Sequence, residues 1–231
     1  MTKSNQNLKK YAIEFLSIFI AVVSAFALNN WNDNRRDNNA ETKILTEILN
    51  GLEKDLVDVK VNEAGHNQGL AACKYWRDII TDQPVNVDSL RQFYLNLTRD
   101  FVSIQNTSGY ETLKSKGLEL IKNDSLRSMI ISLYEYDYKT LMKLEEEYNE
   151  LQFQENYFYE INKLIAPYFI FNSMGNISGI EQPLKINKSE RNILLSYLWK
   201  IQLNRRFILL SYSEVEGKIN KISTAIKKEL D

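Results

Sequence analysis

The chain of 231 residues balances 29 Lys and Arg against 30 Asp and Glu; setting aside Lys3, Lys9, Lys10 and Glu14 leaves 26 basic against 29 acidic side chains in residues 29–231. An outer region of that balance has no excess of cations to neutralise phosphates, which argues against nucleic acid as a partner. Eight Gly and three Pro disfavour a turn-rich β architecture and favour long helices, and a single cysteine, Cys73, excludes an intramolecular disulfide.

Residues 1–10 read as a short amino-terminal tail carrying Lys3, Lys9 and Lys10. An apolar stretch from Tyr11 to Leu28 follows, with Trp31 just past its end. At about 1.5 Å of rise per residue, the path from Tyr11 to Trp31 covers roughly 30 Å, the hydrocarbon thickness of a bilayer. Residues 11–31 are therefore expected to form a transmembrane helix, with Tyr11 and Trp31 as interfacial anchors. The competing reading is a secretory signal peptide, since Ala25-Phe26-Ala27 fits an A-x-A site that would release a chain starting at Leu28. The length of the stretch, the carboxylate of Glu14 inside it and the position of Trp31 favour the anchor. Lys3, Lys9 and Lys10 before the span outweigh Arg35 and Arg36 after it by a narrow margin, placing the amino terminus inside.

At about 100° per residue, Glu14, Ser17, Ala21 and Ala25 share one face of that helix, with Ile18 intruding on it, and Leu16, Phe19, Val23 and Phe26 lie opposite. Small residues at this spacing let two membrane helices approach, so the face is a candidate for self-association. Glu14 is the sharpest single residue, because a charge in hydrocarbon must be paired, protonated or brought to water. It lies only about 4–5 Å below the expected interface, so a shallow carboxylate reaching back to the headgroups is the plainer reading, and a proton, ion or partner-pairing role the sharper one.

Residues 32–231 read as a helical bundle. The first helix starts near Asn38, open to continuity with the span, and Leu49, Leu52, Leu56 and Val59 recur at steps of three and four; extended by sevens the seam meets Glu63, His66, Leu70, Cys73 and Ile80. Pro84 ends it, and Asp88 is expected to cap a second helix through Phe101. Ser108 and Glu111 have capping-box spacing, Gly117 suits a helix end at positive φ, and Asn123 or Asp124 can cap the next helix. That helix is expected to run from Ser125 toward Leu164, rich in tyrosine, until Pro167. Residues 166–188 form the one extended loop, and a last helix covers about Ser189 to Glu229.

Two segments resemble an uncharacterised bacterial family of single-pass membrane proteins, known only as a domain of unknown function. The first is Tyr11-Ala-Ile-Glu14 with the small-rich span and Asn29-Asn30-Trp31-Asn32. The second is Tyr110-Glu111-Thr-Leu113-Lys-Ser115 with Gly117, Ile121, Asn123, Leu126 and Arg127. The resemblance covers about a quarter of the chain. It implies an anchored helical protein, favours the anchor over the signal peptide and implies no activity; this chain departs from the family pattern in its fewer basic residues before the span. With the amino terminus inside, the expected location is a bacterial inner membrane with the outer domain on the periplasmic side.

The chemistry that can be read is mostly exclusion. Glu63 and His66 have Glu-x-x-His spacing, but a carboxylate-bridged di-metal bundle needs a second copy and the chain has one histidine, so no metal and no cofactor is expected. Glycine-rich phosphate loops and cysteine pairs are missing from the sequence, and no catalytic residues are assigned. Cys73 reads as a small buried hydrophobe, the run Glu145-Glu146-Glu147 as a solvated face, and the tyrosines as core and rim. A helix-turn-helix over 110–127, turning Lys114, Lys116, Lys122 and Arg127 to DNA, is the weakest reading. The expectation is an all-α protein: one transmembrane helix, then an antiparallel bundle of long helices, non-enzymatic, with membrane lipid, a second copy through the span and an unidentified protein as partners. The alternative is a transport or signalling component that uses Glu14.

Overall fold

A computed structural model describes residues 3–231, without the side chains of residues 3–10 and of Ala12; of the basic tail expected at residues 1–10, the backbone of residues 3–10 is helical and continuous with the apolar segment, and the rest lies outside the described residues. The fold is all-α apart from one small hairpin. Its organising element is a single helix, α1, Lys3–Ile80, 78 residues long, which at 1.5 Å per residue is about 117 Å. The apolar segment and the first bundle helix are thus one element. No proline occurs before Pro84, so nothing in the sequence removes a rung of the backbone ladder. The helix stops where Asp82 takes a φ of +59° and the Thr81 and Gln83 amides close back on the Arg77 and Asp78 carbonyls.

From Tyr11 to Asn39 the described side chains of α1 are exposed, apart from a half-buried Asp33. Close packing begins at Ile44. From there every seventh residue is buried: Leu45, Leu52, Val59, His66, Cys73 and Ile80. Leu49, Leu56 and Leu70 lie half-buried beside them, as the seam spacing predicts. Each apolar side chain fully buried there contributes roughly 1.5–3 kcal/mol.

The partner of this seam is the last helix, α7, Lys188–Leu230, which runs back antiparallel to α1. Arg191 donates to the Ile80 carbonyl, Arg77 to Gln202 at 2.7 Å, Lys60 pairs with Glu216 at 3.4 Å and Lys227 with Glu53 at 3.2 Å. Its own buried stripe is Leu194, Leu198, Ile201, Ile208, Tyr212, Val215, Ile219, Ile222 and Ile226. Asn187 and Glu190 form a reciprocal capping box at its start.

The intervening chain wraps this pair. Helix α2, Leu90–Leu97, packs on α1, with Trp76 Nε1 donating to the Phe93 carbonyl at 3.2 Å. It is shorter than the expected Asp88–Phe101 helix: Asn86 caps the 3-10 turn ahead of it by accepting from the Asp88 amide, Ser89 stands at the start of α2 without a side-chain capping bond, and the chain leaves helix at Thr98. Residues 98–107 form an extended strap into α3, Ser108–Lys116. The expected Ser108–Glu111 capping box is absent. Thr107 occupies the cap position, Ser108 Oγ donates to Asn106 Oδ1 at 2.9 Å, and Glu111 pairs with Lys114 instead. Gly117 has φ +107° and ψ 128°, positive as expected but in an extended region outside the left-handed helical well.

Helix α4, Asp124–Ser132, is capped by Asn123, whose side chain accepts from the Leu126 amide. The long helix expected from Ser125 to Leu164 is divided. A π-helical segment, Leu133–Asp137, leads into α5, Tyr138–Glu146, and α6, Phe153–Ile165, begins only after a 3-10 turn. Asp100 of the strap explains the restart: its carboxylate accepts from the Phe153 amide at 2.7 Å and the Gln154 amide at 3.3 Å, capping α6 from outside. Pro167 sits in the turn that ends α6, as expected. The expected loop at 166–188 contains strands β1, Phe169–Phe171, and β2, Ile177–Ile180, paired antiparallel with Phe169 opposite Ile180.

Candidate functional site

Three places in the fold gather polar or unusual residues. The first is a cleft of about 190 Å³ between α3 and the π-helical segment, lined by Tyr110, Glu111, Lys114, Tyr134, Glu135 and Lys139, among others. The extra residue of a π turn re-aims side chains, and such turns recur at functional sites. Here it brings Tyr134 onto Tyr110, rings stacked at 4.5 Å, and sets Glu135 to accept from the Tyr110 hydroxyl at 3.0 Å. Lys114 at 3.1 Å and Lys139 complete the set around Glu135. Those three donors, Lys139 first, hold the Glu135 carboxyl down at about 2, and burial, the Glu135 bond and its charge keep the Tyr110 phenol protonated. A carboxylate so saturated is a poor general base at neutral pH.

The second is the strap and its fastenings. An extended segment with no strand beside it must find partners for its backbone polar groups elsewhere. They come from side chains far away in sequence. The Ser103 amide and hydroxyl donate to Glu145 of α5, the Ile104 amide to Asp58 of α1 at 2.9 Å, and the Asn106 amide to Asp55 of α1 at 2.7 Å. Tyr138 donates to the other Asp55 oxygen at 2.7 Å, and Tyr212 of α7 donates to Glu145. Burial raises the Glu145 carboxyl to about 7; its bonds from Tyr212 and Ser103 offset part of that, and the nearby Asp58 charge adds to it. Burial likewise raises Asp55 and Asp100.

At the strap's amino-terminal end lies Arg205 of α7, fully buried. One of its nitrogens, Nη2, donates to the carbonyls of Asn96, Leu97 and Arg99 at 3.3, 3.0 and 2.9 Å, and its guanidinium lies over the Phe153 ring at 4.2 Å. Nη1 is 3.1 Å from His66 Nδ1. Burial and then the Arg205 charge push His66 down to about 3, so the imidazole is neutral and Nδ1 accepts. Burial lowers Arg205 only to about 10, which leaves it charged at neutral pH. Two glycines of α1 make the room: a Cβ on Gly69 would lie 2.2 Å from Arg205 Nε, and one on Gly65 would lie 2.2 Å from the Phe101 ring. Cys73 is buried nearby, its thiol pushed up to about 11 by burial.

The third place is the apolar part of α1, where Tyr11, Glu14, Ser17, Ala21, Ala25 and Trp31 are all exposed. Ser17 Oγ donates back to the Ile13 carbonyl at 2.8 Å, and the Arg35 guanidinium lies 5.8 Å from the Trp31 ring centre. Glu14 is separated from Ile44, where close packing begins, by about 45 Å of helix, so the fold does not unite it with the bundle residues.

The family-like motif over residues 110–127 forms a corner as well as a cleft wall. Leu113 and Leu126 are core, and Arg127 Nη1 braces the corner by donating to the Ile121 carbonyl at 2.9 Å. Of the motif's named residues, Tyr110 and Glu111 line the cleft. Three of the four cations of the DNA reading have partners within the chain: Lys114 pairs with Glu135, Lys122 with Asn38 and Arg127 with Asp124, while Lys116 is exposed.

Set against protein-family models, curated proteins and solved structures, the chain matches none.

One reading of a chemical group is overturned outright. Glu145, expected with Glu146 and Glu147 on a solvated face, is 5% exposed and fastens the strap. Arg205, Asp55, Asp58 and Asp100 have no place in the sequence reading at all. For Arg205 a signal exists: it falls on the buried phase of α7, between Ile201 and Ile208. Gly65 and Gly69, flanking His66 in mid-helix, are the matching signal on α1.

Proposed function

We propose that the protein is a membrane-anchored, non-enzymatic interaction module, its bundle held at the periplasmic face of a bacterial inner membrane by the uncleaved amino-terminal part of α1. The observation that supports this reading best is the unbroken helix from Lys3 to Ile80, whose apolar stretch is long enough to cross a membrane and has none of its described side chains buried by the rest of the chain. Ala25-Phe26-Ala27, though exposed, lies inside a regular helix that continues into the core, which supports retention of the segment. The polar residues from Asn32 to Asn39 then stand the bundle off the interface by about 12 Å. The saturated Glu135 and the interior position of Glu145 favour a binding role over catalysis.

The experiment is carbonate extraction of native membranes combined with protease protection. Retention in the pellet, with the bundle cleaved only when the periplasmic side is opened, is expected. Release into the soluble fraction refutes the anchor, and protection from the periplasmic side refutes the orientation.

A second reading, in which Glu14 takes part in transport or signalling, is favoured by the rigid continuity of α1, which would carry any movement of the span into the bundle. Glu14→Gln discriminates: unchanged insertion together with an unchanged cellular phenotype removes that reading.

A further inference from the structure

Opposite the core-facing side of α7 runs an apolar stripe that the rest of the chain leaves largely uncovered: Trp199 at 60% exposure, Leu203 at 50%, Phe207 at 45% and Leu210 at 66%. Tyr148 touches its flank, with its ring centre 6.3 Å from that of Phe207. Steps of four, four and three place the four side chains on one helix face. Gly217, two turns further on, falls on the same face, and a Cβ built there would meet nothing within 4 Å. A glycine in the middle of an exposed helix costs about 1 kcal/mol relative to Ala and is useful where another backbone comes close. Arg206 lies at one edge of the stripe, and the exposed Glu214 stands between it and Gly217.

What can cover the stripe is limited by its height. Arg205 is level with His66 and Glu216 with Lys60, so the stripe stands more than about 40 Å of helix beyond Trp31, out of reach of the bilayer that holds α1. The stripe exposes on the order of 450 Å² of side-chain surface, in the range of the largest patch on an ordinary monomer and often functional. Two such faces bury on the order of 900 Å², less than the roughly 1,600 Å² of a standard stable complex and suited to a weak association. A weak interface becomes effective when its two halves are already confined at the same height and in the same orientation. A second copy anchored in the same membrane meets that condition without further assumption.

We propose that the Trp199–Leu210 face of α7 is a homodimer interface, in which two copies pair their α7 helices in parallel about an axis normal to the membrane. The parallel register rests on the anchored reading above. A two-fold axis of that kind sets Leu203 against Leu203 of the second copy and Leu210 against Leu210, with Gly217 allowing the helices to close toward the membrane end.

The test is disulfide crosslinking of the full-length chain in its native membrane, with Leu203→Cys and Leu210→Cys made singly and Asn67→Cys, exposed on α1, as the control. Cys73 is buried and its thiol is held at about 11, so it stays out of the reaction under a mild oxidant. Both stripe variants are expected to give a covalent dimer and the control none, and adding Trp199→Ser is expected to cut the Leu203→Cys dimer at least tenfold. Dimer from only one of the two positions indicates a crossing rather than a parallel seam and overturns the proposal. No dimer from either, or adducts with other proteins in place of dimer, also overturns it, as does crosslinking at Ala21→Cys with none at Leu203→Cys. Failure of the anchor is read separately, from loss of the chain to the soluble fraction.

Discussion

Replacing Glu145 with Gln isolates the one interior carboxyl among the described residues that is lifted to about neutral pH. The carboxyl ionises at about 7 in the fold against an ordinary 4.5, a difference equivalent to about 3 kcal/mol at about 1.4 kcal/mol per pH decade. The sign follows from proton counts. Below 4.5 both folded and unfolded chains hold the proton, and the group has no effect on stability. Between 4.5 and about 7 the unfolded chain has lost the proton that the folded chain retains, so stability falls as pH rises, and above about 7 the full loss is in place. The amide that E145Q introduces has the shape of the protonated acid, still accepts from the Ser103 amide and has nothing to ionise. The stability of the native chain minus that of E145Q should therefore fall by up to about 3 kcal/mol between pH 4.5 and 8. Asp55 and Asp100, raised by burial, and His66, lowered by it, are present in both chains and cancel. Urea unfolding followed by tryptophan fluorescence is the assay, since Trp76 is fully buried. A difference that is flat with pH, or that grows as pH rises, refutes the reasoning.

Three further outcomes follow from packing and capping. Gly69→Ala drives a methyl into Arg205 Nε and should cost on the order of 1–3 kcal/mol, whereas Gly217→Ala, facing open space, should add up to about 1 kcal/mol; paired thermal melts decide both. Asp100→Ala removes the acceptor of the Phe153 and Gln154 amides and should cost about 1 kcal/mol, with faster amide exchange at the start of α6 than elsewhere in the bundle. Asn187→Ala breaks the capping box of α7, again for about 1 kcal/mol by denaturant titration.

How much of this was legible depended on distance along the chain. The seam of α1 was readable from Leu52, Val59, His66, Cys73 and Ile80 because helical periodicity is local, and Asn123 and Pro167 acted as the sequence implied because capping and helix termination are local too. The strap was not readable. Its fastenings join Ser103 to Glu145, Asn106 to Asp55 and Leu97 to Arg205, pairs separated by 42, 51 and 108 residues, and nothing at either end announces the other. Glu145 illustrates the difficulty: its neighbours Glu146 and Glu147 are exposed, and only the face of α5 turned toward Tyr212 makes it different. The split between α5 and α6 was hidden for the same reason, since the carboxylate that starts α6 belongs to Asp100. Of the candidate sites, the apolar segment with Glu14, Ser17, Ala21 and Ala25 was visible from composition, and Tyr110 and Glu111 from their motif. The Tyr134 and Glu135 side of the cleft required the π turn, which has no sequence signature.

The central claim is that α1 is retained whole, as anchor and bundle helix at once. Intact mass measurement of the protein purified from carbonate-washed membranes tests it most directly. The account predicts a membrane-retained species that includes the Tyr11–Trp31 segment; a soluble species beginning at Leu28 would contradict it.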